Sequence, residues 1–349
     1  MVRRFRGRIA ATALIVLAGA GTLSACGDDS GGGKAGSGEV RLGFFPNITH
    51  ATALVGIKNK IYEKHLGSGV KLRTQSFNAG PAAVEALFAK GIDATYVGPN
   101  PAINAWAKSK GKAVKIIAGA ASGGVALVVK PEIKTAADLK GKKIATPQKG
   151  NTQDVALRHW LKQQGLKTDL AGGGDVKVVP QENSLTLQAF AEGKIDGAWV
   201  PEPFASRLQL ESKGKVLVDE KTLWPGGKFV ITHLLVRTDF QKEHPDLVKK
   251  LLEAHVEANQ FINDDKAAAA KVANDQLNVL TGKPLKPEVL DSTFKNVEFT
   301  NDPIASSLET GAKNAQDVGL LEPVDLKGIY DLTVLNSILK AGGKAEVNV

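Results

Sequence analysis

The feature that most constrains the fold of this 349-residue chain is a repeat with a constant spacing of 103 residues. Ile92-Asp93 recurs as Ile195-Asp196, and the tetrapeptide Ser-Lys-Gly-Lys at 109–112 recurs at 212–215. Each copy alternates short β-type runs with helical runs, which is typical of α/β folds whose strands are mainly parallel. The sequence therefore predicts one supersecondary plan that is used twice, once in each of two lobes.

The two copies predict similar sets of elements. In the first copy we expect helices over 52–65, 82–90 and 102–110 between strands over 40–45, 70–77, 94–97 and 114–118. In the second copy we expect helices over 153–164, 185–192 and 204–213 between strands over 143–146, 176–179, 197–200 and 216–218. Helical patterns from Pro245 onward, including residues 302–341, complete the chain.

Two long apolar runs, 124–129 and 229–236, stand before and after the second copy, and we interpret them as strands that cross between the lobes. This interpretation assigns residues 39–125 and 235–349 to lobe I and residues 126–234 to lobe II. Two crossings form a hinge, and a hinge between two lobes permits closure around a ligand.

The first 26 residues have the features of an export signal for a lipid-anchored protein. Four arginines precede an apolar run at 9–23, which is shorter than the about 20 residues that a transmembrane helix needs. The tetrapeptide Leu-Ser-Ala-Cys at 23–26 is similar to the lipobox of bacterial lipoproteins, and Cys26 is the only cysteine. We therefore predict a signal peptide over 1–25 and a lipidated Cys26 with a flexible linker over 26–38. The protein would then be attached to the extracytoplasmic face of the membrane.

Composition argues against several other classes of protein. The formal net charge is +9, but four of the positive charges belong to the predicted signal peptide, and the remaining lysines are mostly dispersed. Such a distribution does not indicate a nucleic-acid partner. One cysteine and six scattered histidines give no disulfide framework and no metal-binding motif, so we predict neither a metal site nor a cofactor. The sequence has no coiled-coil pattern, and we expect a monomer.

Five loops place Gly, Pro, Asn or Thr where a predicted strand ends and a helix begins. They are 44–50, 78–81, 98–101, 150–153 and 201–203. In open parallel α/β sheets, ligands bind beyond the carboxyl ends of the strands. Helix N-termini at these ends present N–H groups without intrahelical partners and a partial positive charge. The sequence therefore predicts an anion-binding site between the two lobes.

The same loops resemble a known family. Segments 43–51, 79–82, 96–102 and 141–147, together with Glu202-Pro203, are similar to the solute-binding proteins of ABC importers, in the branch for aliphatic sulfonates, taurine and nitrate. The resemblance implies a two-lobe clamshell of the periplasmic-binding-protein type (type II). Such a protein captures a small anion outside the membrane and delivers it to permease subunits driven by a cytoplasmic ATPase. The family usually has Gly-Ser/Thr-Thr where this chain has Gly-Asn-Thr at 150–152, which leaves the preferred anion open.

Within this site we expect main-chain N–H groups and neutral side chains to hold the anion. Each charge-assisted hydrogen bond contributes about 1.5–3 kcal/mol net, so several donors must converge. The residues predicted for this role are Asn47, Asn78, Gly80, Gly98 and Asn100 in lobe I and Asn151 and Thr152 in lobe II.

Four further residues have more than one interpretation each. Tyr96 and Trp199 occupy equivalent positions in the repeat, and they form either opposite apolar walls for the ligand or core aromatics beneath the site. Glu202 pairs with a ligand amine, latches the lobes together, or stabilises the start of a helix. His50 donates to the anion or is an ordinary loop histidine.

Other functions remain as alternatives. A lobed protein of this kind also suits nitrate, bicarbonate or a thiamine-pyrimidine precursor, and the sequence does not decide among these ligands. A secreted hydrolase is the alternative from another class, because Ser-x-x-Lys occurs at 109–112 and 212–215. Both copies lie at the predicted C-terminal ends of helices, whereas that chemistry needs the serine at the start of a buried helix. We therefore predict a binding protein and not an enzyme.

Overall fold

The computed structural model describes residues 38–349. The predicted signal peptide, Cys26 and nearly all of the predicted linker lie outside the described residues. The described part contains these strands: β1 Gly38–Phe44, β2 Val70–Ser76, β3 Ala94–Val97, β4 Val114–Gly123, β5 Val125–Val129, β6 Lys143–Thr146, β7 Lys177–Pro180, β8 Gly197–Pro201, β9 Lys215–Asp219, β10 Val230–Arg237 and β11 Val297–Phe299.

Helices follow most of these strands, with several short 3-10 turns between elements. They are α1 Ala51–Lys58, α2 Ile61–Leu66, α3 Gly80–Phe88, α4 Pro99–Lys108, α5 Thr152–Gln163, α6 Asn183–Ala191, α7 Phe204–Ser212, α8 Thr238–Glu243, α9 Pro245–Asp264, α10 Lys266–Thr281, α11 Pro287–Asn296, α12 Ala305–Asp317 and α13 Thr333–Ala341. Within residues 38–349, no helix is both long and apolar enough to cross a membrane.

The strands form two sheets with the same plan. The six-stranded sheet has the order β11-β4-β10-β3-β1-β2, and the five-stranded sheet has the order β7-β6-β8-β5-β9. β1 is parallel to β2 and β3, as β6 is to β7 and β8. β10 is antiparallel to β3 and β4, as β5 is to β8 and β9. In each sheet four strands therefore run in one direction and one runs in the opposite direction. The six-stranded sheet has β11 in addition, at its edge and antiparallel to β4. The predicted α/β class with two mainly parallel sheets is confirmed.

The reversed strand of each sheet comes from outside the repeat copy that it completes. β5 precedes the second copy, and β10 follows it and returns to the six-stranded sheet. The chain passes between the sheets at Gly123-Gly124, both with positive φ, and through residues 220–229. The predicted lobe boundary at 234/235 falls inside β10, which pairs with strands of the six-stranded sheet over its whole length. The division into lobes stays a prediction.

The repeat has a direct structural counterpart at the joint that precedes β3 and β8. The Asp93 carboxylate accepts a hydrogen bond from the backbone N–H of Arg41 at 2.8 Å, and the Asp196 carboxylate accepts one from Lys143 at 2.8 Å. The backbone N–H groups of both aspartates donate back to the carbonyls of the same two residues, also at 2.8 Å. The two aspartates keep the spacing of 103 residues and their partners Arg41 and Lys143 are 102 residues apart, and the same strand joint forms in both sheets.

Several helices begin earlier in the structure than the sequence predicted. α3 begins at Gly80 and α4 at Pro99, two and three residues before the predicted starts, with proline in the first turn of each helix. Proline is tolerated there because the first N–H groups of a helix have no intrahelical partner. The helix predicted over 52–65 is two helices, because Lys60 adopts a left-handed conformation (φ 56°) between them. These shifts bring the helix N-termini closer to the strand ends.

Candidate functional site

A small cavity lies where the carboxyl ends of six strands meet. Residues that directly follow or end β1, β2 and β3 line one side, and residues that follow or end β6, β7 and β8 line the other. The cavity has a volume of about 20 Å³, and its lining residues are Phe45, Asn47, Thr49, His50, Asn78, Gly98, Pro147, Asn151, Thr152, Gln153, Asn183, Pro201 and Ile231. The lining is mostly polar, and none of these described residues is an acid, a lysine or an arginine.

Helix N-termini converge on this cavity. Gly98, Asn151 and Glu182 are the N-cap residues of α4, α5 and α6, and Ala79 is the N-cap of α3 beside them. None of these four side chains caps its helix by a hydrogen bond. The N–H groups of the non-proline residues in each first turn have no intrahelical partner, and each N-terminus carries a partial positive charge. Pro81 in α3 and Pro99 and Pro101 in α4 have no N–H, so these two helices offer fewer donors than α5 and α6. The arrangement therefore suits the oxygens of an anion.

Two buried side chains at the cavity have polar atoms without a hydrogen-bond partner. They are the hydroxyl Oγ1 of Thr152, a residue that is 6% exposed, and the amide Oδ1 of Asn183, a residue that is 5% exposed. A buried polar atom without a partner costs about 1–3 kcal/mol. Each residue is the first of its helix, α5 and α6. A ligand oxygen that accepts a hydrogen bond from the Thr152 hydroxyl would remove that cost at Thr152, whereas the Asn183 oxygen is an acceptor and needs an N–H or O–H donor.

The loop before α5 is held in place by a buried carboxylate. Asp154 accepts hydrogen bonds from the backbone N–H of Gly150 at 2.9 Å and from the hydroxyl of Thr146 at 3.1 Å. Arg158, one turn later, donates to the same carboxylate at 3.1 Å. These contacts fix the first turn of α5, and with it the position of Thr152.

His50 lies at the opposite side of the cavity as an uncharged group. Its Nδ1 accepts a hydrogen bond from the backbone N–H of Phe45 at 3.3 Å, and its ring lies 4.3 Å from that of Phe45. Burial lowers the pKa of His50 to about 3, because the charged form would lose its hydration. The imidazole is therefore neutral, and its proton is on Nε2. His50 offers one N–H donor to the site without a full charge.

Asparagines from the predicted set also line the cavity. Asn47 is buried, and the amide of Asn78 donates to the carboxylate of Glu182 at 2.6 Å, which joins the loop after β2 to the N-cap of α6. The Asn151 amide donates to Gln153 at 3.1 Å. The structure thus brings Asn47, His50, Asn78, Gly98, Asn151 and Thr152 together at one cavity.

Glycine is required where two of these elements meet. A Cβ on Gly98 would lie 2.5 Å from Oγ1 of Thr152, and a Cβ on Gly80 would lie 2.2 Å from the ring of Pro101. The same position on Gly80 is 3.1 Å from Oδ1 of Asn151, so the start of α3 lies beside the cavity without lining it. Both glycines act by permitting close approach.

Asn100 lies beside the cavity lining and not in it. It lines a separate small cavity, which shares Thr152 with the first one. Its amide donates to the backbone carbonyl of Gly311 at 3.2 Å and so joins α4 to α12. Gly98, the N-cap of α4, lines the main cavity, whereas the Asn100 side chain lines the separate one.

Tyr96 and Trp199 are placed beneath the site by the structure, away from its lining. Both are fully buried. The Tyr96 hydroxyl bonds to the Tyr62 hydroxyl and to Nδ1 of His255, each at 2.8 Å. The Trp199 indole donates to the carboxylate of Glu220 at 2.6 Å. Their polar atoms have partners within the protein interior, and neither ring lines the cavity.

Glu202 connects two parts of the chain instead of facing the cavity. Its carboxylate accepts hydrogen bonds from the backbone N–H and the hydroxyl of Ser206, from Thr293 and from Asn296. The last two residues belong to α11. Burial raises the pKa of Glu202, although these hydrogen bonds oppose the rise. The carboxylate is fully engaged: the bond from the Ser206 N–H, in the first turn of α7, fits the helix-start interpretation, and the bonds from α11 fit the latch interpretation. Both fit better than pairing with a ligand amine.

Asn183 is a cavity residue that the sequence analysis missed. It lies at the spacing of 103 residues from Gly80, and both residues begin the helix that follows the second strand of their copy. The repeat therefore contained a signal for Asn183, but the loop before it lacks the Gly-Pro pair seen at Gly80-Pro81. Thr49 and Gln153 were also missed, although the predicted loops contain them.

The serines of the two Ser-x-x-Lys tetrapeptides both lie at the C-terminal ends of helices. The Ser109 hydroxyl donates to the carbonyl of Trp106 at 3.1 Å and accepts from the N–H of Ala113 at 3.2 Å, so it closes the end of α4. Ser212 is the last residue of α7. Across residues 38–349, no three His, Cys, Asp or Glu side chains come together in a way that would hold a metal ion.

Comparison with known proteins adds a family relationship. Residues 33–275 match the model of the NMT1-like family. A protein of Brucella abortus (strain 2308) that is named as a binding protein is 31% identical over 292 residues, which cover 82% of this chain and 79% of that protein.

Two further similarities extend over most of the chain. A Bacillus subtilis (strain 168) protein named as an aliphatic sulfonates-binding protein is 27% identical over 352 residues, covering 96% of this chain and 97% of that one. Among solved structures, the alkanesulfonate-binding protein SsuA from Xanthomonas axonopodis pv. citri, bound to MOPS, superimposes with a TM-score of 0.67 at 22% identity. That match covers 82% of this chain and 94% of SsuA. The structural similarity supports the two-sheet fold.

Proposed function

The chain belongs to the NMT1-like family, and we propose that it is the solute-binding lipoprotein of an ABC importer for a small organic anion of the aliphatic sulfonate or taurine class. It captures the anion outside the cytoplasm and presents it to permease subunits that a cytoplasmic ATPase drives. The named binding functions of its relatives support this assignment. It acts by binding and closure, with no chemical step.

The observation that carries the proposal is the convergence of helix N-termini on a cavity without charged side chains. Gly98 at the N-cap of α4 and the first residues of α5 and α6 line the cavity, and the Thr152 hydroxyl there has no partner. A sulfonate has three oxygens that accept hydrogen bonds, and neutral donors bind such a group without the large cost of burying a lysine or an arginine. Thr152 and the N–H groups of α5 would hold the anion from one side, and His50 from the other.

Contacts that span the cavity support the proposal that the two lobes close around a ligand. Asn78 and Glu182 bond across it, and Gly98 lies against Thr152. We propose that the two lobes separate and approach about the crossings at Gly124 and 220–229. A ligand that contacts both sides would then shift the population toward the closed form. Lipidation at Cys26 would keep the protein at the membrane surface as a monomer beside its permease.

The test is calorimetric titration with taurine, methanesulfonate and nitrate. We expect sulfonate binding by the native chain and a loss of about tenfold to a hundredfold in affinity in Thr152→Val, which corresponds to one charge-assisted hydrogen bond. Thr310→Val is the matched control, because Thr310 is exposed on α12 and its hydroxyl bonds to the carbonyl of Ser306. Failure of every sulfonate to bind would refute the function, and equal affinity of Thr152→Val would refute the site.

Nitrate binding is the second candidate, and the size of the cavity favours it. A volume of about 20 Å³ holds little more than one water molecule, so a compact anion needs less opening of the site than taurine does. The same titration separates the two candidates: nitrate bound more tightly than any sulfonate would support the second one. A heteroaromatic ligand has less support, because Tyr96 and Trp199 do not line the cavity.

A further inference from the structure

A second, much larger cavity adjoins the polar one. Its volume is about 580 Å³, and it lies among the loops after β1 and β2, the first turns of α6 and α7, and the C-terminal end of α10. Asn47, Asn78 and Asn183 line both cavities. The two spaces therefore meet at the asparagines that border the polar site.

Part of the wall of the large cavity is apolar. Leu187 of α6, Phe204 of α7, Leu277 and Leu280 of α10, and Leu285 after α10 form it. Leu187, Phe204 and Leu285 are half-buried, and Leu280 is 36% exposed. A ligand that covers these side chains removes apolar surface from water, and this contributes favourably to the free energy of binding.

The charges that line the large cavity are positive. Arg207 and Lys283 are part of the lining, and among its described lining residues there is no acid. Arg207 is paired with Glu211 at 2.9 Å, whereas Lys283 is exposed at the end of α10. The field at this opening favours the approach of an anion.

The two cavities differ in volume, and each suits a different part of one ligand. The polar cavity of about 20 Å³ leaves no room for an organic tail beside a head group. An apolar cavity of roughly 150 Å³ is enough to bind benzene, so 580 Å³ accommodates a substantial hydrophobic group. An organic chain attached to a head group at Thr152 would leave the polar site beside the shared asparagines.

On the basis of the function proposed above, we propose that the cavity beside α10 is a subsite for the hydrophobic tail of the ligand. The chain therefore selects sulfonates with a long alkyl or an aryl tail over taurine and methanesulfonate. The head group bonds to the first turns of α5 and α6, and the tail packs against Phe204, Leu277 and Leu280.

The test is a titration series with methanesulfonate, butanesulfonate, octanesulfonate and naphthalene-2-sulfonate. We expect affinity to rise with tail length by up to about fourfold for each methylene that becomes buried. Leu280→Gln introduces a neutral polar group into the apolar wall, and it should weaken octanesulfonate and naphthalene-2-sulfonate about tenfold with methanesulfonate unchanged. Leu210→Gln is the matched control, because Leu210 is 52% exposed on α7 and lies outside the cavity lining.

The outcomes separate this inference from the function on which it rests. If methanesulfonate binds as tightly as octanesulfonate, or if Leu280→Gln weakens every sulfonate equally, the tail subsite is refuted while the proposed function stands. If the native chain binds no sulfonate at all, the proposed function fails, and the subsite fails with it. A loss of affinity in Leu210→Gln equal to that in Leu280→Gln would also refute the subsite.

Discussion

The two sheets share one strand order, yet their interiors are built from different chemistry. Behind the six-stranded sheet, Tyr96 bonds to Tyr62 and His255, all of them uncharged groups. Behind the five-stranded sheet, the equivalent Trp199 bonds to the carboxylate of Glu220. The repeat therefore preserves the backbone joints of the two halves and leaves their buried polar partners free to differ.

The cavity shows the same contrast between the halves. The six-stranded sheet contributes Gly98, which permits close approach, and His50, which already accepts a bond from Phe45. The five-stranded sheet contributes Thr152 and Asn183, whose polar atoms have no partner. One half thus supplies shape and a neutral donor, and the other supplies the side-chain atoms that still need a partner.

The largest expected effect concerns the strand joint that the two sheets share. Asp93 is 1% exposed and bonds to the Arg41 backbone and guanidinium, with Arg237 at 3.6 Å. The Asp196 side chain is 30% exposed and bonds to one backbone N–H of Lys143. We expect Asp93→Ala to lower the free energy of unfolding by about 3 kcal/mol, because it removes the buried acceptor of three hydrogen bonds from Arg41. Asp196→Ala should cost about 1 kcal/mol.

Urea denaturation of the two variants measures this difference. The pair acts as its own control, since both substitutions remove the same carboxylate from the same joint. Equal losses in the two variants would show that the joint, and not the surrounding charge, determines the contribution.

A second prediction uses the different titrating groups of the two halves. Burial lowers the pKa of His50 to about 3 and that of His233 and His255 to about 4, and it raises the pKa of Glu220 to about 7. As pH falls below 6.5, the unfolded chain binds protons at these three histidines and the folded chain does not. The three histidines therefore lower the free energy of unfolding as the pH falls. Glu220 acts oppositely: its contribution is greatest at low pH and is lost as pH rises through 7.

The histidines outnumber the two buried glutamates whose pKa is raised, Glu220 and Glu202. We therefore expect the free energy of unfolding to rise between pH 5 and 6.5, by about 1.4 kcal/mol per pH unit for each excess proton bound by the unfolded chain. Glu220→Gln removes one opposing group and should steepen this rise by about the same amount. The exposed Glu309→Gln is the control, and an unchanged slope in Glu220→Gln would contradict the prediction.

The smallest expected effect concerns the contact of Gly98 with Thr152 at the cavity. A Cβ on Gly98 would lie 2.5 Å from Oγ1 of Thr152, so Gly98→Ala should hold the two sides apart and weaken ligand binding about tenfold. Small-angle scattering should show a larger radius of gyration, and Thr152→Ala added to Gly98→Ala should restore the compact form. Gly91→Ala is the control, because its Cβ would meet its neighbour at an ordinary 3.4 Å. Unchanged affinity and size in Gly98→Ala would show that closure does not need this contact.

Much of the fold and part of the site could be predicted from the sequence. The alternation of β-type and helical runs identified every strand of the two sheets in the described residues except the short edge strand β11. The Gly, Pro, Asn and Thr residues at strand ends identified the loops that meet at the cavity. Asn100 shows the limit of this approach: it lies in the first turn of α4, and the rotation of that turn directs its side chain to Gly311. Loop composition does not specify such a rotation.

The sequence by itself determined which strand ends carry helix N-termini, because glycine, proline and short polar residues restrict the backbone locally. Only the tertiary structure decided that Tyr96 and Trp199 face the interior while Asn183 faces the cavity. The central strands are covered on both faces, so their apolar pattern does not distinguish one face from the other. The direction of each side chain depends on how helices from distant parts of the chain pack on the two sheets.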